Sequence, residues 1–167
     1  MSYENSRALN AIQEISELIS LESETDKLTQ RCKFNFHYFD SNNAGQDFLA
    51  WNHSQLVNLL NKLKNYSESP LSYWQNQSTG SGHQNILEIY GHFPIKRKTD
   101  FKEPKFIPVD VEWGRFRLGS KIRLIGFVIP NSLHDKAHNI TGERFDKNTF
   151  YIVFLDSQHK FYKTENK

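Results

Sequence analysis

The chain has 167 residues, 37% of them apolar and 24% charged, with a net charge of +2. That length carries one domain, or one domain with an accessory helix. An aromatic share of 14% excludes a mostly disordered chain, because large rings supply much of a small core's burial. No run approaches the ~20 apolar residues of a membrane span. The opening MSYENSRALN lacks the layout of a secretory signal. One cysteine, Cys32, excludes an internal disulfide framework and a multi-cysteine zinc site. These traits predict a soluble, cytoplasmic protein with no metal and no cofactor.

Charge is spread unevenly. Residues 1–30 hold six acids (Glu4, Glu14, Glu17, Glu22, Glu24, Asp26) against Arg7 and Lys27, which leaves an excess of +6 on the rest. This predicts an acidic accessory segment, residues 1–26, and a mildly basic body, residues 27–167. Leu9, Ile12, Ile15 and Leu18 or Ile19 recur at helical spacing, so residues 4–22 read as an amphipathic helix. The acidic run at 22–27 ends it. Such a helix can pack on its own body, on a second copy as a homodimer contact, or on a partner.

Residues 31–39, RCKFNFHYF, alternate as a half-buried strand does. A helix is expected over 54–66, with Leu56, Leu59, Leu60 and Leu63 as its buried stripe and Val57 beside it. Ser69-Pro70 signals a second, short helix over 69–77, since proline suits a first helical turn. The loop 78–85 leads to ILEIY (86–90), a short strand or turn. Residues 94–108 contain three prolines and a basic cluster, and read as an exposed, extended excursion. WGRFRL (113–118) and KIRLIGFVI (121–129) flank a Gly119-Ser120 hairpin turn. Residues 130–148 form a long polar connection. FYIVFLD (150–156), almost continuously apolar, is a central strand. HKFYK (159–163) closes the body.

The stretch RFRLGSKIRLIGFVI (115–129), followed by FYIVFLDSQHKFYK (150–163), resembles the basic strand, short turn and terminal His/Arg-x-x-Tyr segment of the RelE/ParE superfamily of bacterial toxins. The resemblance covers about 31–163 in topology. It implies an α+β fold of β-α-α-β-β-β order, with a four- to five-stranded antiparallel sheet and helices on one face. The N-terminal helix and the insertions at 78–112 and 130–148 are additions to that pattern. RelE-like members are mRNA interferases acting at the ribosome, and ParE-like members poison DNA gyrase. The resemblance therefore implies a toxin that cleaves mRNA by metal-independent transphosphorylation and is held in check by a cognate antitoxin. The alternatives are a non-enzymatic protein-binding effector and an RNA-binding subunit of a defence complex. By this resemblance Arg115, Arg117, Arg123, His159 and Tyr162 are the catalytic candidates. Lys96, Arg97, Lys98, Lys121, Lys160 and Lys163 are candidate RNA contacts.

Strand parity adds a geometric expectation. With a three-residue loop at 119–121, Arg117 lies opposite Arg123, and Phe116, Leu118, Ile122, Leu124 and Val128 share the other face. Opposed arginines repel, and a bound anion would relieve that. The plainer reading makes them solvated residues on an open sheet face. His159 suits proton transfer because imidazole titrates near neutrality. His134 and His138 have helical spacing, but no further metal ligand follows. Trp51, Trp74, Trp113 and Cys32 read as core.

Overall fold

The computed structural model describes residues 3–18, 21, 27–41, 44–80, 82, 84–119 and 121–163. The chain divides into two compact units, Met1–Arg31 and Cys32–Lys167. The first holds helix α1 (Tyr3–Leu18) and a 3-10 turn at Leu28–Gln30. Leu9, Ile12 and Ile15 of α1 are all exposed. Of the expected continuation to 22, Leu21 is an exposed turn residue and residues 19, 20 and 22 lie outside the described residues, as do Glu24 and Asp26.

The second unit is built on a sheet of order β1-β5-β4-β3-β2: β1 (Lys33–Asn35), β2 (Leu87–Gly91), β3 (Glu112–Arg117), β4 (Arg123–Val128) and β5 (Thr149–Asp156). β2 to β5 pair antiparallel, but β1 joins β5 in parallel. The sheet is therefore mixed, a correction to the antiparallel expectation. The cause is connectivity: α2 (His53–Tyr66) and α3 (Leu71–Asn76) carry the chain from one sheet edge to the other. β1 is also only three residues long, since His37 and Tyr38 already turn away. The apolar run of β5 is flanked by β1 and β4, and its residues fill both faces.

One face packs on the helices. Leu59, Tyr66, Leu71 and Trp74 meet Phe116, Leu118, Leu124, Phe150 and Ile152. An Asn52–Gln55 capping box, 2.9 Å in both directions, starts α2. Its buried stripe differs from the expected one: Leu60 is 65% exposed, and Tyr66, two turns after Leu59, takes the buried place.

The other face was expected to be open, and it is not. Residues 94–108, expected to be an exposed excursion, lie across it, burying Phe101 and Ile107 against Trp113, Phe127 and Phe154. The rest of the stretch is mostly exposed as expected, including Lys96 and Arg97 of the 3-10 turn Lys96–Lys98, Lys102, Lys105 and Phe106. The apolar residues of this stretch are spaced too irregularly to reveal a buried face. Phe161, in the turn after β5, is fully buried in the same cluster. The segment 130–148 is mostly exposed and polar, as expected.

Gly126 marks the junction of β4 and β5. Ile125 faces Phe154 and Gly126 faces Ile152, so Val153 is an extra, bulged residue. A Cβ on Gly126 would lie 2.0 Å from the Tyr151 carbonyl oxygen, which only glycine avoids.

Candidate anion-binding cleft

The hairpin register is the expected one. Arg117 faces Arg123 across β3 and β4, and the Leu118 amide donates to the Ile122 carbonyl at 3.1 Å. The turn residue Ser120 lies outside the described residues. Alternation then puts Arg115, Arg117 and Arg123 on one face, and the apolar row on the helix side.

These arginines are buried, not solvated: 6%, 7% and 4% exposed. The partner that buries two of them comes from β2, part of the segment expected as an insertion. Glu88 pairs in register with Arg115 and accepts from its Nε at 3.0 Å and Nη2 at 2.8 Å. The other carboxylate oxygen of Glu88 takes Nη2 of Arg117, and Tyr90 Oη donates to Glu88 at 3.0 Å. Burial alone would raise the Glu88 pKa, but the Arg117 and Arg115 guanidiniums hold it below the usual carboxylate range. Arg117 also donates through Nε to the Asn85 carbonyl at 2.9 Å.

Arg123 faces Asp156, the last residue of β5, and donates through Nη1 to the carbonyls of Gly119 at 2.8 Å and Ile122 at 2.9 Å. It thereby ties the hairpin loop closed. Burial, then Arg117 and Arg115, bring its pKa down to about 10, so it remains a cation at neutral pH. Three guanidiniums at this end of the sheet thus face two carboxylates, Glu88 and Asp156.

Arg117 and Arg123 also line a cleft of 520 Å³ between α2, the loop at 78–86 and the hairpin. Lys62 of α2 enters it from the helix side, and Ser78 and Thr79 contribute hydroxyls. No acidic residue is among its described lining. Tyr66 forms part of its wall; its hydroxyl donates to the Arg117 carbonyl, and burial pushes its pKa up to about 12. The site is a recess of mixed polarity that gathers three cations, the groups that bind phosphate oxygens.

His159 and Tyr162 are placed elsewhere, around Arg115. His159 Nε2 is 3.0 Å from Arg115 Nη1. A guanidinium only donates, so Nε2 accepts and the ring proton sits on Nδ1. Burial, then Arg115 and Arg123, lower the His159 pKa, keeping the ring neutral at physiological pH. Its backbone is left-handed, with φ of 59°. Tyr162 stacks on Tyr90, centroids 4.8 Å apart, and Arg115 lies 5.5 Å from the Tyr90 ring centre. The five catalytic candidates therefore fall into two groups linked by Glu88: Arg117 and Arg123 at the cleft, and Arg115, His159 and Tyr162 beside it.

The candidate RNA contacts also divide. Lys98 lies over the Tyr162 ring, 5.5 Å from its centre. The Lys163 amide donates to the Lys98 carbonyl at 2.8 Å, and Asp100 donates to the Lys160 carbonyl at 3.2 Å. Lys96, Arg97, Lys98, Lys160 and Lys163 thus share one surface. Lys163 pairs with Asp100, which reduces its value to a phosphate. Lys121 is exposed in the hairpin loop.

Glu88, Lys62, Tyr66 and Tyr90 were not singled out in the sequence. A lone Glu between Leu87 and Ile89 in a strand is the one signal that was available for Glu88. Cys32 is buried, and burial pushes its pKa up to about 12, which makes it a poor nucleophile. Among the described residues, no helix is long and apolar enough to cross a membrane, and no three His, Cys, Asp or Glu residues gather as a metal cluster. No protein-family model matches this chain, and neither curated proteins nor solved structures show significant similarity to it.

Proposed function

We propose that this protein is an RNA-directed effector in which the Lys62–Arg117–Arg123 cleft seats one backbone phosphate. We further propose that it is an endoribonuclease of the RelE-like kind, a toxin acting on mRNA at the ribosome and countered by an antitoxin. The observation that carries this reading is the convergence of three cations and two hydroxyl side chains on a cleft whose described lining has no acid. The β-α-α order followed by an antiparallel run from β2 to β5 supports the family resemblance.

The chemistry fits these residues. The 2′-oxygen attacks the adjacent phosphorus, the bond from phosphorus to the 5′-oxygen breaks, and a cyclic phosphate remains. Arg117, Arg123 and Lys62 stabilise the charge that grows on the phosphate oxygens. The 2′-hydroxyl proton passes to solvent water and the leaving 5′-oxygen takes one from it; His159 stands beside the cleft, its Nε2 already accepting from Arg115. No metal is needed for any of these steps.

One observation favours a second reading. Arg115 and Arg117 are buried and held by Glu88, as a purely structural network would hold them. On that reading the protein is a non-enzymatic effector that binds a protein target, as ParE-like toxins do.

The discriminating variant is Lys62→Ala, not Arg123→Ala. Arg123 closes the hairpin, whereas Lys62 is half-buried on α2, its Nζ 5.9 Å from the Tyr66 ring centre. Ends of mRNA would be mapped in a cell-free translation reaction, with EDTA-treated naked RNA alongside. New ends made by wild type and lost in folded Lys62→Ala support the nuclease. Absence of wild-type-specific ends, from folded protein freed of inhibitor, shifts the assignment to the protein-binding effector.

A further inference from the structure

The helix side of the sheet holds a second cavity, at the end away from the hairpin. Its lining comes from α3, β2, the start of β3, the end of β4 and the residues just before β5. Its volume is 260 Å³. Sites for drug-sized ligands run from roughly 300 to 1,000 Å³, so the occupant here is a smaller molecule. Ile89, Val128 and Ile129 give it a branched aliphatic floor, and Leu71 of α3 closes it on the helix side. No described lining residue is aromatic.

One polar side chain in this lining is nearly buried and only half used. Asn148 is 8% exposed. Its backbone amide donates to Asp146 at 2.9 Å, and its carbonyl accepts from the Lys33 amide at 2.8 Å. Its side-chain Oδ1 accepts from the Leu71 amide at 3.4 Å. A backbone amide only donates, so this bond fixes the oxygen and leaves Nδ2 as a donor. Among the described residues nothing accepts from Nδ2. Buried donors are normally satisfied, so an unsatisfied one beside a cavity marks the place of a ligand's acceptor. Lys147, the preceding residue, adds an exposed ammonium on the same side. Glu112 of β3 sets a half-buried carboxylate on the other side, with β4 running between them. Neither charge has an ion pair among the described residues.

We infer that this cavity is a binding site for a small aliphatic amino acid. The ligand's carboxylate accepts from Asn148 Nδ2 and Lys147, and its ammonium donates to Glu112. Its branched side chain lies on Ile89, Val128 and Ile129. A phosphate would face the Glu112 carboxylate, and a purely apolar molecule would leave Nδ2 unsatisfied. Because Asn148 is held by three hydrogen bonds, its free donor is fixed in place before the ligand arrives. The site shares no described lining residue with the Lys62–Arg117–Arg123 cleft and does not depend on the RNA reading.

The test uses the full chain and follows the NMR shifts of the Leu71, Ile89, Val128 and Ile129 methyl groups. Leucine is titrated beside isocaproate, which lacks its ammonium, and isoamylamine, which lacks its carboxylate. Leucine should saturate the shifts at about millimolar concentration. Each truncated ligand should bind about ten-fold more weakly, the cost of one lost charged hydrogen bond. Asn148→Asp keeps an oxygen for the Leu71 amide and turns the free donor into an acceptor. It should abolish leucine binding and retain that of isoamylamine. Glu112→Gln should bring leucine down to the level of isocaproate and leave isocaproate itself unchanged. If Asn148→Asp does not fold, Glu112→Gln decides, since that side chain has no partner to lose. No leucine-dependent shift at tens of millimolar overturns the site, whether or not RNA is cut. Equal binding of the three ligands, or leucine binding that the folded variants leave unmoved, overturns the amino-acid assignment. Leucine binding with these selectivities in a protein that cuts no RNA upholds the site and removes only the nuclease.

Discussion

The two ends of one sheet face solve the same burial problem with opposite materials. At the hairpin end, alternate positions of β3 and β4 are Arg115, Arg117 and Arg123, all under one tenth exposed. At the other end, the same alternation brings Trp113, Ile125 and Phe127 to that face, against Phe154 and Phe161. The apolar end gains from burial itself. The charged end bears the desolvation of three cations and offsets it through Glu88, Asp156 and backbone carbonyls. A stability argument alone would have filled both ends with rings, so the arginine end is where a function is to be sought.

The largest effect expected lies at the aromatic end. Phe127→Ala empties a closely packed site and should cost about 3–5 kcal/mol in chemical denaturation. Because no charge is involved, that cost should be nearly the same at neutral and acid pH. A strongly pH-dependent cost would break the contrast between the ends.

Glu88→Gln should come next, at about 3 kcal/mol, since it leaves two buried guanidiniums without their shared carboxylate. The Glu88 side chain keeps a quarter of its exposure, which places the figure at the low end for a buried pair. Its folded pKa lies below the ordinary value of 4.5. The stabilisation is therefore complete above that value and is lost as pH falls through the lower, folded value. The gap between wild type and Glu88→Gln should close in acid, a result that denaturation across that range reads directly.

His159 sharpens the comparison further. Its folded pKa is depressed below 6.5, so the unfolded chain binds more protons just under that pH. Stability should fall as pH drops from 6.5 through the folded value, and His159→Gln should flatten that slope. An unchanged slope would mean that His159 does not feel the arginines.

The smallest effect on stability belongs to Lys62→Ala, under about 0.5 kcal/mol. Its effect on RNA should be larger: weaker binding for all sequences, and a salt slope reduced by about one. Preserved RNA affinity in this variant would leave the charged end with a structural role alone.

Much of this architecture was legible from local pattern. The near-continuous apolar run at 150–156 marks a strand covered on both faces, and the 3.6-residue spacing at 54–66 marks α2. Matching two apolar rows across Gly119 was enough to set Arg117 opposite Arg123, because a slip of one residue would have split the rows. The burial of the arginines was not legible. It depends on Glu88, twenty-seven residues before Arg115, reaching it only once β2 is laid on β3. Nor was the cover of the second face, where Phe101 and Ile107 pack without a regular period.

The sequence by itself determined the α+β composition, the β4–β5 core and the three arginines on one strand face, because hydrophobic periodicity is a local quantity. Only the tertiary structure decided that this face is covered and mixed in charge. It also decided that Lys62 joins Arg117 and Arg123, and that His159 sits with Arg115. Such choices depend on segments distant in the chain meeting in space, and the free energy of a buried charge is set by those neighbours rather than by its own place in the sequence.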